Sequence, residues 1–117
     1  MILIVDDRPE NILSLSSILK VHSFEVDTAT SGEEALKKTL KTEYSLIILD
    51  VQMPMMDGFE VAEFLSGNNS TRDIPIIFLS AVNTDKKFIT KGYSSGGIDY
   101  LTKPVDTDIL ILKIKIF

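Results

Sequence analysis

The hydrophobic residues of this chain fall into two patterns that alternate along it. Short runs of branched apolar residues show no polar alternation, which is typical of strands buried on both faces of a parallel sheet. Three such runs are clear, at residues 2–5, 46–49 and 76–79. Two weaker runs, at residues 24–29 and 98–101, have the length and position of further strands. The pattern therefore predicts five strands.

Helical periodicity marks the segments between these runs. Pro9 suits the first turn of a helix over residues 9–20. Ser31 and Glu34 have capping-box spacing and begin a second helix, Asp57 begins a third as its N-cap, and residues 85–93 predict a fourth that ends at Gly96 and Gly97. The side chains predicted to face inward in the first three helices are Ile12, Leu15, Ile18, Leu19, Ala35, Leu36, Leu40, Val61, Phe64 and Leu65.

The last segment fits two structures. Its apolar residues alternate with Lys113 and Lys115 as in a strand, yet a helix is equally compatible with the spacing. Seven of the ten residues 108–117 are large and apolar, too many for the single buried stripe of an outer helix. As a helix, it is expected to pack Ile109, Leu112 and Ile116 on the sheet and to leave Leu110, Ile114 and Phe117 exposed.

Alternating strands and helices with short connections predict an α/β fold, a doubly wound parallel sheet with helices on both faces. Ligands of such sheets bind at the carboxyl ends of the strands. Asp6 and Asp7 follow the first strand, Asp50 the third, Ser80 the fourth and Lys103 the fifth. We expect these five residues to meet at one edge of the sheet.

Three neighbouring aspartates repel one another unless a cation lies between them. The available ligands are oxygen atoms, which favour a hard cation, and Mg²⁺ is the leading choice. A carboxylate can attack phosphorus, and phosphoryl transfer otherwise needs mainly a metal and a lysine to neutralise the phosphoryl oxygens. The set therefore predicts Mg²⁺-dependent phosphoryl transfer to an aspartate.

Composition narrows the class of protein. The 117 residues suit one domain, residues 1–117, and carry a formal charge of −5, which argues against a nucleic acid partner. No cysteine is present, so disulfides, thiolate metal sites and cysteine nucleophiles are excluded. The longest apolar run, residues 1–5, is far too short for a membrane span. We expect a soluble, cytoplasmic domain.

Four segments carry a resemblance to a known family: ILIVDD, IILDVQMPMMDG, IIFLSA and DYLTKP, in that order. Together they resemble the receiver domain of two-component response regulators over nearly the whole chain. The resemblance implies a flavodoxin-like fold of five strands and phosphoryl transfer from a histidine kinase or a histidine phosphotransfer protein. It implies no separate enzyme activity, since a receiver catalyses only its own phosphorylation and dephosphorylation.

The resemblance also assigns roles to matching positions. Asp50 corresponds to the phosphoacceptor, Lys103 to the phosphate-binding lysine, Ser80 to the switch hydroxyl and Tyr100 to the switch aromatic. The implied Mg²⁺ ligands are Asp6, Asp7, Asp50 and the main-chain carbonyl of Gln52, with Asp7 binding the ion directly. The family also implies a cis peptide bond between Lys103 and Pro104.

Structural interpretations of the same residues stay open. Asp6 and Asp7 can cap the first helix, Tyr100 can be a core aromatic, and His22 is expected to be a solvated residue near a helix end. One rival function is a degenerate receiver that only docks partners. A second is a Mg²⁺-dependent phosphohydrolase, which is disfavoured because Gln52 stands where such enzymes carry a second carboxylate. A small FMN protein of the same fold is also disfavoured, because no phosphate-binding loop follows the first strand.

The expected partners include an output domain or protein, or a second copy of the chain. They are expected to bind the face made by the fourth predicted helix, the fifth strand and the last segment. The last helix is shorter than is usual for a receiver, so we expect it to be truncated.

Overall fold

A computed structural model describes residues 1–81 and 99–117, and five parallel strands in them form one sheet. The strands are β1 (Ile2–Val5), β2 (Val26–Ala29), β3 (Leu46–Asp50), β4 (Ile76–Ser80) and β5 (Asp99–Thr102). The helices are α1 (Pro9–Val21), α2 (Gly32–Lys41), α3 (Gly58–Ser66) and the C-terminal helix (Thr107–Ile116). The strand order is β2-β1-β3-β4-β5, with every pair parallel. The predicted α/β fold is confirmed.

Parts of the prediction lie outside the described residues. These are the fourth predicted helix at residues 85–93, Gly96 and Gly97 after it, and Ile98 at the start of the predicted fifth strand. None of the helices that the structure describes is long and apolar enough to cross a membrane.

The two faces of the sheet carry separate hydrophobic cores. One core packs α2 and α3 on side chains that include Leu3, Leu49 and Phe78. The other packs α1 and the C-terminal helix on side chains that include Ile4 and Ile48. Every position of β1, β3 and β4 is buried, because helices cover both faces of these strands. This burial explains why their sequences do not alternate polar with apolar residues.

Side-chain caps begin two of the helices as predicted. The Ser31 hydroxyl accepts a hydrogen bond from the Glu34 main-chain N–H at 3.1 Å, and the Glu34 carboxylate accepts one from the N–H of Thr30. At α3 the Asp57 carboxylate accepts the N–H of Glu60 at 2.9 Å, while the Glu60 carboxylate accepts the N–H of Asp57. Asp57 therefore satisfies donors that the first turn of a helix leaves unpaired.

Two residues predicted to face inward are exposed. Leu40 in α2 is 71% exposed and Phe64 in α3 is 60% exposed. In each helix the buried side chains are four residues apart and therefore lie one turn above the other in a single stripe. Leu40 and Phe64 are each one residue from a member of this stripe, which places them about 100° around the helix from the stripe. The buried pairs that define the two stripes are Ala35 with Thr39 and Val61 with Leu65.

The last segment is a helix, but its predicted orientation was wrong. The side chains buried against the sheet are Leu110, Ile111 and Ile114. Ile109, Leu112 and Ile116 are 46%, 60% and 68% exposed, and Phe117 is half exposed as predicted. Because seven of the ten residues 108–117 are apolar, composition distinguishes the stripes poorly, and packing on the sheet selects the buried one.

A polar network attaches the edge strand β2 to the rest of the fold. The Tyr44 hydroxyl donates to the Asp27 carboxylate at 2.6 Å, and the Lys38 ammonium donates to the same carboxylate at 3.1 Å. Burial, followed by the Asp27 hydrogen bond, raises the pKa of Tyr44 to about 12. The hydrogen bond from Tyr44 in turn holds the pKa of Asp27 below its ordinary 3.8. No sequence pattern predicted this network.

Candidate functional site

Three aspartates meet at the carboxyl ends of β1 and β3, as predicted. Val5 of β1 pairs with Leu49 of β3, so Asp6 and Asp50, each one residue further on, lie side by side. Asp6 and Asp50 are 1% and 4% exposed, whereas Asp7 is partly exposed. One carboxylate oxygen from each of the three residues lies within 4.8 Å of the others.

Lys103 completes this cluster from the end of β5. Its ammonium donates to the Asp6 carboxylate at 3.1 Å and to the Asp50 carboxylate at 3.2 Å. Its main-chain N–H donates to the carbonyl of Ser80 at 2.7 Å, and the following bond to Pro104 is cis, as expected. Lys103 thus places a single positive charge between two buried carboxylates.

The electrostatics of the cluster act most strongly on Asp50. Burial, together with the negative charges of Asp6 and Asp7, raises the pKa of the Asp50 carboxyl from its ordinary 3.8 to about 6. The ammonium of Lys103 opposes this shift without cancelling it. Asp50 is therefore ionised at neutral pH, in surroundings that carry too little positive charge for it.

A glycine lets α3 begin beside the site. A Cβ added at Gly58 would come within 2.3 Å of the Asp50 carbonyl oxygen and 2.9 Å of the Val51 Cα. The Gly58 N–H donates to the Val51 carbonyl at 2.8 Å, which closes the loop between β3 and α3. The Gln52 side chain in this loop is exposed, and the role of its carbonyl as a metal ligand stays a prediction.

Ser80 and Tyr100 lie on neighbouring strands near the cluster. Asp50 pairs in register with Leu79, so Ser80 ends β4 one position beyond it, and its side chain is fully buried. The Tyr100 ring lies 6.4 Å from the Phe78 ring, centroid to centroid. The Tyr100 hydroxyl is buried without a hydrogen-bond partner among the residues that the structure describes.

Comparison with known proteins decides the family. Residues 2–115 match the model of the response regulator receiver domain. The chain belongs to this family. It is a receiver domain of the kind found in two-component response regulators, and the predicted family and fold are both confirmed.

Relatives of this receiver domain include much longer proteins. The chain is 38% identical to the response regulator PleD of Caulobacter vibrioides over 114 residues, which is 97% of the chain and 25% of PleD. It is 36% identical over the same length to the transcriptional regulatory protein SrrA of Staphylococcus aureus, again 97% of the chain but 46% of SrrA. The chain therefore spans less than half the length of each of these relatives.

A solved structure is similar over almost its whole length. The chemotaxis protein CheY4 of Vibrio cholerae superimposes with a TM-score of 0.90 at 32% identity, covering 97% of this chain and 94% of that one. The identity and the coverage agree with the assignment of the receiver fold.

One residue of the receiver's acidic cluster was missed in the sequence. The side-chain amide of Asn11, in the first turn of α1, donates to the Asp6 carboxylate at 3.2 Å, and the main-chain N–H of Arg8 donates to its other oxygen at 2.9 Å. Asp6 thus holds the chain just before α1 as well as lying in the cluster, but it does not cap the helix, because Arg8 is the N-cap residue and α1 begins without a side-chain cap. The sequence shows only an amide side chain six residues after the end of β1, which by itself does not predict the contact.

The donor set of the receiver fits a hard divalent cation. Its potential ligands are carboxylate oxygens, two of them buried, and one ammonium is shared between the two buried groups. Mg²⁺ prefers oxygen ligands and commonly binds one or two carboxylates together with phosphate oxygens. The roles predicted for Gln52, Ser80 and Tyr100 remain predictions.

Proposed function

We propose that this receiver domain accepts a phosphoryl group on Asp50 from a histidine kinase or a histidine phosphotransfer protein. The observation that carries the proposal is the placement of Asp50. Its carboxylate lies 3.2 Å from the Lys103 ammonium and in one cluster with the carboxylates of Asp6 and Asp7. A nucleophile, a phosphate-binding cation and a metal-binding pair are therefore within reach of one phosphoryl group.

The reaction is a phosphoryl transfer between two side chains. A carboxylate oxygen of Asp50 attacks the phosphorus while the bond from phosphorus to the donor's imidazole nitrogen breaks, and the imidazole leaves with the electron pair. With its pKa at about 6, Asp50 is ionised at neutral pH and ready to attack. The product is a mixed anhydride, an aspartyl phosphate.

Residues around Asp50 stabilise the transferred group. Asp7, with Asp6, Asp50 and the carbonyl of Gln52, would hold Mg²⁺. When bound, the ion supplies positive charge to the phosphoryl oxygens. Lys103 exchanges a carboxylate oxygen for a phosphoryl oxygen as its partner, so the ion pair that it now makes with Asp50 is replaced.

A switch of surface follows phosphorylation. We infer that the Ser80 hydroxyl donates to the new dianion and that the Tyr100 ring moves toward the space left by Ser80. The Tyr100 hydroxyl makes no hydrogen bond to the residues that the structure describes, so the movement breaks none of their hydrogen bonds, which supports it. Phosphorylation thereby shifts an existing equilibrium between two conformations of the surface.

The output surface is proposed to include β5 and the C-terminal helix. An output domain, an output protein or a second copy would bind there. Ile109, Leu112 and Ile116 line the exposed side of the helix and supply apolar contact area.

The acceptor assignment is tested with acetyl phosphate and Mg²⁺. Native protein is expected to gain the mass of one phosphoryl group, labile at alkaline pH, whereas the Asp50→Asn variant gains none. Asp57→Asn is the matched control, because Asp57 caps α3 and is expected to leave phosphorylation intact. Equal, equally labile labelling of the Asp50→Asn variant would show that another residue is the acceptor. Failure of the folded native protein to be labelled would support the docking module instead.

A further inference from the structure

The two residues that were wrongly expected inside, Leu40 and Phe64, share one exposed face. α2 and α3 lie side by side on the same side of the sheet, so close that a Cβ added at Gly32 of α2 would come within 2.7 Å of Val61 in α3. A groove of about 170 Å³ runs between the helices and is lined by Leu36, Leu40 and Phe64. Adjacent exposed apolar side chains of this size mark a contact surface.

Charges on this face are divided between the two helices. The exposed residues are Glu33, Lys37, Leu40 and Lys41 on α2, and Glu60, Glu63, Phe64 and Ser66 on α3, so the exposed groups are net positive on α2 and negative on α3. Lys37 makes an ion pair with Glu33, but both side chains are more than 70% exposed, so it contributes little to stability. Lys41 and Glu63 make no ion pair within the described part of the chain.

The arrangement of charge and apolar surface selects a second copy of the chain as the occupant. We propose that two copies pair through their α2–α3 faces, with α2 of each copy opposite α3 of the other. In a two-fold interface the same surface patch of each copy contacts the other, so a face with one basic and one acidic side is self-complementary. Leu40 and Phe64 of both copies would form the apolar centre.

The direction of the helices fixes the orientation of the pair. α2 connects β2 to β3 past the strand β1, and α3 connects β3 to its neighbour β4. Because all these strands are parallel and both helices cross the same face of the sheet, the two helices run in the same direction. Leu40 and Phe64 lie at the same level, since both line one groove. If the two-fold axis is parallel to the helices, Lys41 of one copy lies opposite Glu63 of the other. If the axis is perpendicular to the helices, α2 faces α2 and like charges come together, which is unfavourable.

The interface is small, and the association is correspondingly weak. The helices have 10 and 9 residues, so each is only ~15 Å long. Such a face buries less than the roughly 1,600 Å² of a standard stable interface. We expect a dissociation constant in the micromolar to millimolar range. The C-terminal helix packs on the opposite face of the sheet, so its exposed residues take no part.

Charge reversal tests the pairing by sedimentation velocity over roughly 10 µM to 1 mM. Lys41→Glu and Glu63→Lys are each expected to weaken self-association at least tenfold, as is Phe64→Gln. The double variant Lys41→Glu/Glu63→Lys regains it, and a mixture of the two single variants forms a heterodimer. Leu13→Gln, on the exposed side of α1 across the sheet, is the matched control and leaves the association unchanged, whereas Leu112→Gln tests the C-terminal helix as the alternative contact.

Four results would overturn the proposal. The first is a native protein that remains monomeric at 1 mM. The second is association that the single reversals leave unchanged. The third is a folded double variant that stays monomeric, which would contradict the orientation. The fourth is association lost in the Leu112→Gln variant alone, which would assign the contact to the C-terminal helix.

Discussion

Asp50 has a charge that its surroundings do not fully balance. The carboxyl is almost completely buried, beside Asp6 and near Asp7, and the ammonium of Lys103 is shared with Asp6. Its pKa is raised to about 6, so the folded protein holds the proton more tightly than the unfolded chain does. The residue proposed as the nucleophile is thus one at which ionisation opposes folding.

This shift gives stability a definite dependence on pH. Between the ordinary pKa of 3.8 and about 6 the folded state binds more protons, so the free energy of unfolding falls as the pH rises through that window. In EDTA at pH 7.5, Asp50→Asn is expected to raise that free energy by about 1–3 kcal/mol, and by much less at pH 4. Urea unfolding across this pH range measures the difference.

The control for this prediction is Asp57→Asn, which keeps a side chain that caps helices well. It is expected to change stability little at either pH. A gain in the Asp50→Asn variant that stays the same from pH 4 to 8 would show that the carboxyl charge is not its cause.

At the scale of the elements, the strands were predictable because their burial is uniform. β1, β3 and β4 are covered on both faces, and this condition is visible in sequence as unbroken apolar runs. The acidic cluster was predictable as well, because such buried runs indicate a parallel sheet and parallel strands bring their carboxyl ends to one edge. The contact of Asn11 with Asp6 was not predictable, because it depends on where the first turn of α1 lies above β1.

Helix orientation was harder to predict than helix position. Leu40 and Phe64 fit an apolar stripe within their own helices, but the neighbouring helix and the sheet bury a different one. In the C-terminal helix most positions are apolar and the three charged residues are spread along it, so the sequence distinguishes the stripes poorly. Tertiary packing makes the choice in each case.

The orientation of the C-terminal helix is tested by a pair of matched truncations. Leu110 is fully buried against the sheet, and Leu112, two residues away, is 60% exposed. Leu110→Ala is expected to lower the free energy of unfolding by about 2–5 kcal/mol, because it leaves a cavity. Leu112→Ala is expected to change it by less than about 0.5 kcal/mol. Chemical denaturation of both variants decides, and equal losses would contradict the observed orientation.

At the scale of the whole molecule, the cluster couples metal binding to stability. The unfolded chain does not hold three carboxylates within 4.8 Å of one another, so a cation bound there favours the folded state. The formal charge of −5 also makes approach of a cation favourable.

Mg²⁺ is therefore expected to stabilise the protein. At a concentration ten times its dissociation constant, it should add about 1.4 kcal/mol to the free energy of unfolding, seen as a rise in Tm. Asp7→Asn is expected to abolish the rise, because Asp7 is the proposed direct ligand. Asp57→Asn keeps it, because Asp57 caps α3 outside the cluster. Equal loss in both variants would contradict the metal assignment.

The ion pairs of Lys103 join distant parts of the chain. The lysine lies 97 residues after Asp6 and 53 after Asp50, and it follows the edge strand β5. During synthesis, Asp6 and Asp50 leave the ribosome long before Lys103 has been added to the chain. Until β5 pairs with β4, these carboxylates have no lysine to offset their repulsion. A partly synthesised chain therefore carries this unbalanced negative charge until the last strand of the sheet has been made.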